Sequence, residues 1–182
     1  MSKAVMLSIR PKWVEKIARG EKTIEVRKTP PKMDTPFKCY IYCTLPKYPH
    51  EDFIATNYPM PQFYGGGKVV GEFTCDRIYE IRKRGIPENF DYCYLSLNEW
   101  GNDDIETEIR AISASCVSKE ELNAYGAKAP LLYGWHISDL RIYDEARELS
   151  EFTGLRNTRF GAAPYDIKRA PQSWGYVQEV RA

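Results

Sequence analysis

The stretch Gly20-Glu21-Lys22-Thr23-Ile24-Glu25-Val26-Arg27 constrains the fold more than any other, because it stops a helix and starts a strand within a few residues. Glycine takes the left-handed backbone that closes a helix without steric cost, which places the end of the preceding element at Gly20. From Thr23 the pattern alternates. Ile24 and Val26 point to one face, and Thr23, Glu25 and Arg27 to the other. The apolar pair is expected to enter a core. The polar face carries an acid and a base two residues apart, with Lys22 at the mouth of the strand. Spacing alone reads such a face as solvated, its Glu–Arg pair worth ~0–1 kcal/mol.

The residues before it add to the pattern. Val5-Met6-Leu7-Ser8-Ile9 reads as a strand, and Pro11 suits the first position of a helix. Trp13, Val14, Ile17 and Ala18 then form an apolar helical stripe up to Gly20. Arg10 is left at the N-cap, where Ser or Asp would serve the helix better. An arginine there implies another use for its guanidinium.

The run Leu7-Ser8-Ile9-Arg10-Pro11 through Gly20-x-Lys22-Thr23-x-Glu25-x-Arg27 resembles the ASCH (activating signal cointegrator homology) family, a branch of the PUA-like β-barrels. The resemblance covers about residues 5–28 and continues more loosely at 133–143 and 170–177. It implies an α+β fold: a PUA-like small mixed β-barrel with the helix 11–20 across one opening and an inserted helical pair. It also implies that the Gly-x-Lys-x-x-Glu-x-Arg strand lines a cleft holding RNA or a modified nucleobase.

Composition limits the function. With 182 residues the chain is expected to form one domain with a real core, carrying insertions at about 45–67 and 85–128. Twenty-six basic against 25 acidic residues leave a net charge of +1, which excludes a protein that coats nucleic acid by charge alone. Any nucleic-acid contact must then be local. No run of apolar residues is long enough to span a bilayer, and the N-terminus enters a strand directly, so neither membrane anchor nor signal peptide is expected. Cys39, Cys43, Cys75, Cys93 and Cys116 are odd in number and lack metal-ligand spacing, with only His50 and His136 as partners. They read as reduced thiols of a cytoplasmic protein, with no metal and no cofactor.

Further along, residues 38–44 form a strand covered on both faces. Residues 45–67 are rich in proline and aromatics and end in Gly65-Gly66-Gly67; they read as a lid, with Tyr64 near the cleft. Residues 68–81 read as one long strand bent at Gly71. Arg82-Lys83-Arg84 is a basic turn. Ile105, Ile109, Ile112 and Cys116 make a helical stripe, and Ser118-Lys119-Glu120-Glu121 is a capping box for a short helix ending near Gly126. Strand patterning returns at 133–143, where His136 stands as a structural histidine. Residues 149–152 make a helical turn. Residues 153–169 are polar, with Arg156, Arg159, Lys168 and Arg169. Gln172 and Ser173 stand at the entry of the closing strand, whose Trp174 belongs to the core.

Two chemistries fit these residues. In a binding module, Ser8, Arg10, Lys22, Thr23, Arg27, Tyr64, Gln172 and Ser173 hold the phosphate and base of RNA or a modified nucleotide. Arginine offers a planar fork to phosphate or base edges, and Glu25 accepts from an exocyclic amine. In a small amidohydrolase, the family resemblance implies attack on an acylated nucleoside such as N4-acetylcytidine. Lys22 matches the family's lysine, whereas Glu25 replaces its threonine and would activate water while Lys22 polarises the carbonyl. A third reading is a protein-interaction domain built on the aromatic loop.

Overall fold

The computed structural model describes residues 2–45, 53–55, 62–84, 91–92 and 113–180. Its first strand, β1 (Lys3–Ile9), is apolar on both faces, and so is β3 (Phe37–Cys43). Strands of that kind belong in the middle of a sheet covered on both sides. They pair in parallel, Val5 opposite Cys39 and Ile9 opposite Cys43. Every other ladder among the described residues is antiparallel.

Between them come α1 (Pro11–Ala18) and β2 (Ile24–Arg27). As expected, Arg10 caps α1 without a side-chain bond, and Gly20 takes φ +73° after the helix. The remaining strands are β4 (Phe53–Ala55), β5 (Gln62–Tyr64), β6 (Val69–Cys75), β7 (Ile78–Arg84), β8 (Asp91–Tyr92), β9 (Leu131–His136), β10 (Ser138–Arg147), β11 (Thr153–Thr158), β12 (Gly161–Asp166) and β13 (Trp174–Gln178). A further helix, α2 (Lys119–Gly126), opens on the Ser118–Glu121 capping box, and Leu149–Glu151 is a 3-10 turn.

The ladders form a seven-stranded sheet, β10-β6-β3-β1-β13-β11-β12, a four-stranded sheet, β2-β9-β7-β8, and the β4-β5 pair. The fold is thus strand-rich α+β. Among the described residues the sheets do not close into the single barrel that the sequence leads one to expect. At β2 the physical reason is local: among the described residues its outer edge meets no strand, and Thr23 N–H donates instead to the carbonyl of Ala114 at 2.9 Å. Val5, Leu7 and Ile9 pack on α1 (Val14, Ile17, Ala18) and on Trp135 of the second sheet. Ala4 and Met6 face the other way, toward Tyr40, Phe152 and Ile167.

The expected long strand at 68–81 is two strands in different sheets. Its bend falls at Asp76–Arg77 rather than at Gly71. Gly71 lies where β10 crosses tightly, since a Cβ there would stand 2.6 Å from the carbonyl oxygen of Arg141. The run 133–143 divides in the same way at Ile137, so two bent ribbons, β6–β7 and β9–β10, carry the chain between the sheets. Their corners are clasped where His136 N–H donates to Arg77 and the His136 Nδ1 meets Asp76 Oδ1 at 2.7 Å. His136 is therefore structural here.

The clasp predicts a pH effect. Burial works to raise the Asp76 pKa, but the hydrogen bond and charge of His136, together with bonds from the Asp76 backbone and from Ser138, outweigh it, and the carboxyl sits below its ordinary value. A depressed carboxyl contributes stability that is present above its unfolded pKa and lost as pH falls through the folded one. Asp76→Asn is expected to flatten the acid limb of a stability-against-pH curve below about pH 4. An unchanged acid limb in urea titrations would show that the clasp adds nothing.

No disulfide joins the described cysteines, Cys39, Cys43, Cys75 and Cys116. Burial raises the Cys39 thiol well above its ordinary value and pushes Cys75 up to about 12, so both stay protonated and inert. Much of the expected lid, the stripe Ile105–Ile112 and Cys93 lie outside the described residues.

Candidate functional site

The alternation in β2 holds, but its polar face is not solvated. Lys22 is 1% exposed, Glu25 6% and Arg27 6%. That corrects the reading of an exposed pair, and the cause is tertiary. In the ladder Glu25 stands opposite Trp135 and Arg27 opposite Tyr133, so this face turns toward the seven-stranded sheet. Ile24 and Val26 take the opposite face, where Val26 packs with Ile81, Leu132 and Leu122 of α2.

Three charges are therefore buried together, each fixed by hydrogen bonds. The Lys22 ammonium donates to the carbonyls of Ile24 and Ser115, both at 2.7 Å, and lies 3.3 Å from Glu25 Oε2. Its three protons thus have three acceptors. Glu25 Oε1 accepts from Arg27 Nη2 at 2.8 Å. Arg27 Nη2 also donates to the Ser8 carbonyl at 3.0 Å, and Nη1 to the carbonyl and hydroxyl of Ser173 at 3.1 and 3.3 Å. Ser8 in turn donates its hydroxyl to the Pro171 carbonyl at 2.5 Å. The group ties β1, β2 and the entry to β13 into one unit.

Two buried donors, Arg27 Nε and Trp135 Nε1, have no acceptor among the described residues. Both residues project from the same face of the β2–β9 ladder. Orphaned buried donors are rare and call for a reason.

Around this floor the structure brings together some of the expected residues. Ser8, Arg27 and Ser173 are in direct contact. Thr23, half-buried, holds the strand edge through its backbone, its carbonyl accepting from Ile137 N–H at 2.8 Å. Arg10 and Gln172 are exposed, one two residues beyond Ser8, the other next to Ser173. Tyr64 is described only as a backbone position, opposite Phe53 in the β4–β5 pair.

Tyr125 of α2 was not legible as a site residue. Burial pushes its phenol up, while the charge of Arg27 works the other way. The Lys28 ammonium lies 5.1 Å from its ring. Only the capping box at Ser118 signalled the helix. Nothing local said which face of the protein it would cover.

No protein-family model and no curated protein matches the sequence. Solved structures do. The crystal structure of ASCH from Zymomonas mobilis superposes with a TM-score of 0.54 at 15% identity, over 97% of this chain and 88% of that one. A Tyr-to-Phe variant of the Zymomonas mobilis protein gives 0.50 at 13%, covering 97% and 91%. A Ser-to-Ala variant gives 0.53 at 14%, covering 97% and 89%. Likeness that spans nearly the whole of both chains, at such low identity, is likeness of fold: this chain has an ASCH-like fold.

Proposed function

We propose that this protein binds a nucleotide or RNA, holding a base or phosphate at a mouth formed by Arg10, Thr23, Tyr125, Gln172 and Ser173 above the buried Lys22–Glu25–Arg27 group. Charge is the observation that carries this reading. Two cations and one carboxylate are buried together, which among the described residues leaves one net positive charge in a low-dielectric place and the Nε of Arg27 without an acceptor. Buried charge is costly unless it is fully compensated, and a phosphate or carbonyl oxygen supplies the missing acceptor. The exposed Arg10 adds a planar cationic fork at the rim, and Tyr125 a partly open ring for stacking.

In this reading Glu25 orients Arg27, because both its oxygens are engaged, and Lys22 locks β2 to the segment around Ser115. The amidohydrolase reading needs Lys22 to polarise a substrate carbonyl, and its ammonium already has three acceptors.

The test uses cytidine 5′-monophosphate and N4-acetylcytidine by calorimetry, with chromatography to detect turnover. Arg10→Ala is expected to melt as the parent does, within about 0.5 kcal/mol, and to bind the monophosphate about 1.5–3 kcal/mol more weakly. Parent protein that binds neither ligand, or Arg10→Ala that binds unchanged, overturns the mouth. Deacetylation of N4-acetylcytidine would put the hydrolase in its place.

A further inference from the structure

We infer that the β11–β12 hairpin is a second nucleic-acid contact, an arm that takes the sugar–phosphate chain and one base of a single strand leading away from the mouth. The continuity with the mouth rests on the function proposed above; the arm's own binding does not.

The hairpin is a built structure. Six residue pairs join its strands, from Thr153–Asp166 to Thr158–Gly161. Its tip is set by Thr158, whose hydroxyl donates to the Gly161 carbonyl at 2.7 Å and accepts from Phe160 N–H at 3.2 Å. At the root the Tyr165 ring lies on Gly154, where a Cβ would come within 2.3 Å of it. On this frame Phe160 is 85% exposed, the most exposed large apolar side chain among the described residues. The guanidinium of Arg159 sits 4.6 Å from the centre of its ring.

Charge gathers on the same element. Arg156, Arg159, Lys168 and Arg169 are all exposed, and Asp166 is the one carboxylate between residues 153 and 173. None of the four cations forms an ion pair among the described residues. The chain as a whole is balanced, so this excess is local. The chain that leaves the hairpin after Asp166 leads to the mouth. A few residues beyond Arg169, Pro171 and Ser173 offer their carbonyls to Ser8 and Arg27.

The chemistry selects the partner. Cations beside a presented aromatic ring suit a single strand, with phosphates on the guanidinium groups and an unpaired base on the ring. Strand addition is disfavoured at the outer edge, because β12 carries Pro164, which lacks a ladder donor. One apolar side chain at the tip is too little surface for a bilayer.

The experiment is fluorescence anisotropy with a labelled single-stranded RNA of about 12 nucleotides, titrated at several salt concentrations. Phe160→Ala is expected to weaken binding about tenfold, and Phe160→Trp to retain it. The double variant Arg156→Ala/Arg159→Ala is expected to lower the slope of log affinity against log salt by about 1.4. All these variants should melt as the parent does and bind cytidine 5′-monophosphate as the parent does. RNA binding that is unchanged in every variant overturns the arm. So does a loss confined to phosphatidylserine vesicles or to a poly-glutamate peptide. If RNA binding depends on the arm while the monophosphate never binds, the mouth fails and the arm stands.

Discussion

Glu25→Gln is expected to destabilise the protein by about 3–5 kcal/mol, the usual effect of removing one partner from a buried ion pair. The variant keeps the shape of the side chain and deletes the only carboxylate among the described residues that touches both Lys22 Nζ and Arg27 Nη2. It leaves two cations buried without a counter-ion among the described residues. For a domain of this length the loss is a shift of roughly 10 °C in melting temperature. Lys22→Met is expected to cost less, because the Glu25–Arg27 pair remains neutral, although the carbonyls of Ile24 and Ser115 lose their donor. Urea unfolding of both variants checks the order. A change of under about 1 kcal/mol for Glu25→Gln would mean that the face is solvated after all.

Trp135→Ala is expected to cost as much, about 3–5 kcal/mol. Trp135 is fully buried and joins the two sheets. Its ring stands 5.7 Å from Phe37 in an edge-to-face contact at 87°, and 5.9 Å from Trp174. It is also the ladder partner of Glu25, so its loss loosens the polar group it backs. Trp135→Phe keeps an aromatic filling and removes the indole N–H that lacks an acceptor among the described residues, so its cost should fall below about 2 kcal/mol. Unfolding midpoints at unchanged denaturant slope separate the two. Equal losses would show that the indole N–H matters more than the volume.

The sequence by itself determined the local elements around the site. Gly20 ends the helix, Pro11 begins it, Arg10 is left without a capping bond, and Ile24 and Val26 share a face. Each depends on neighbours a few residues away, where backbone sterics and the two-residue period of a strand decide the outcome. The ASCH resemblance read from residues 5–28 is matched by likeness of fold over nearly the whole chain. Local pattern also found the Ser118 capping box and the 3-10 turn at Leu149.

Tertiary structure decided the rest. Whether Glu25 and Arg27 faced water or protein depended on Trp135 and Tyr133 across the ladder and on Ser173, which lies 146 residues from Arg27 in sequence. The bend at Asp76 rather than Gly71 depended on two ribbons crossing between sheets, and the placing of Tyr125 on how α2 packs. A strand pattern states which side chains share a face. It does not state what covers that face, because burial is set by partners distant in sequence, and the same alternating acid and base serve a solvated surface or a closed, charged interior equally well.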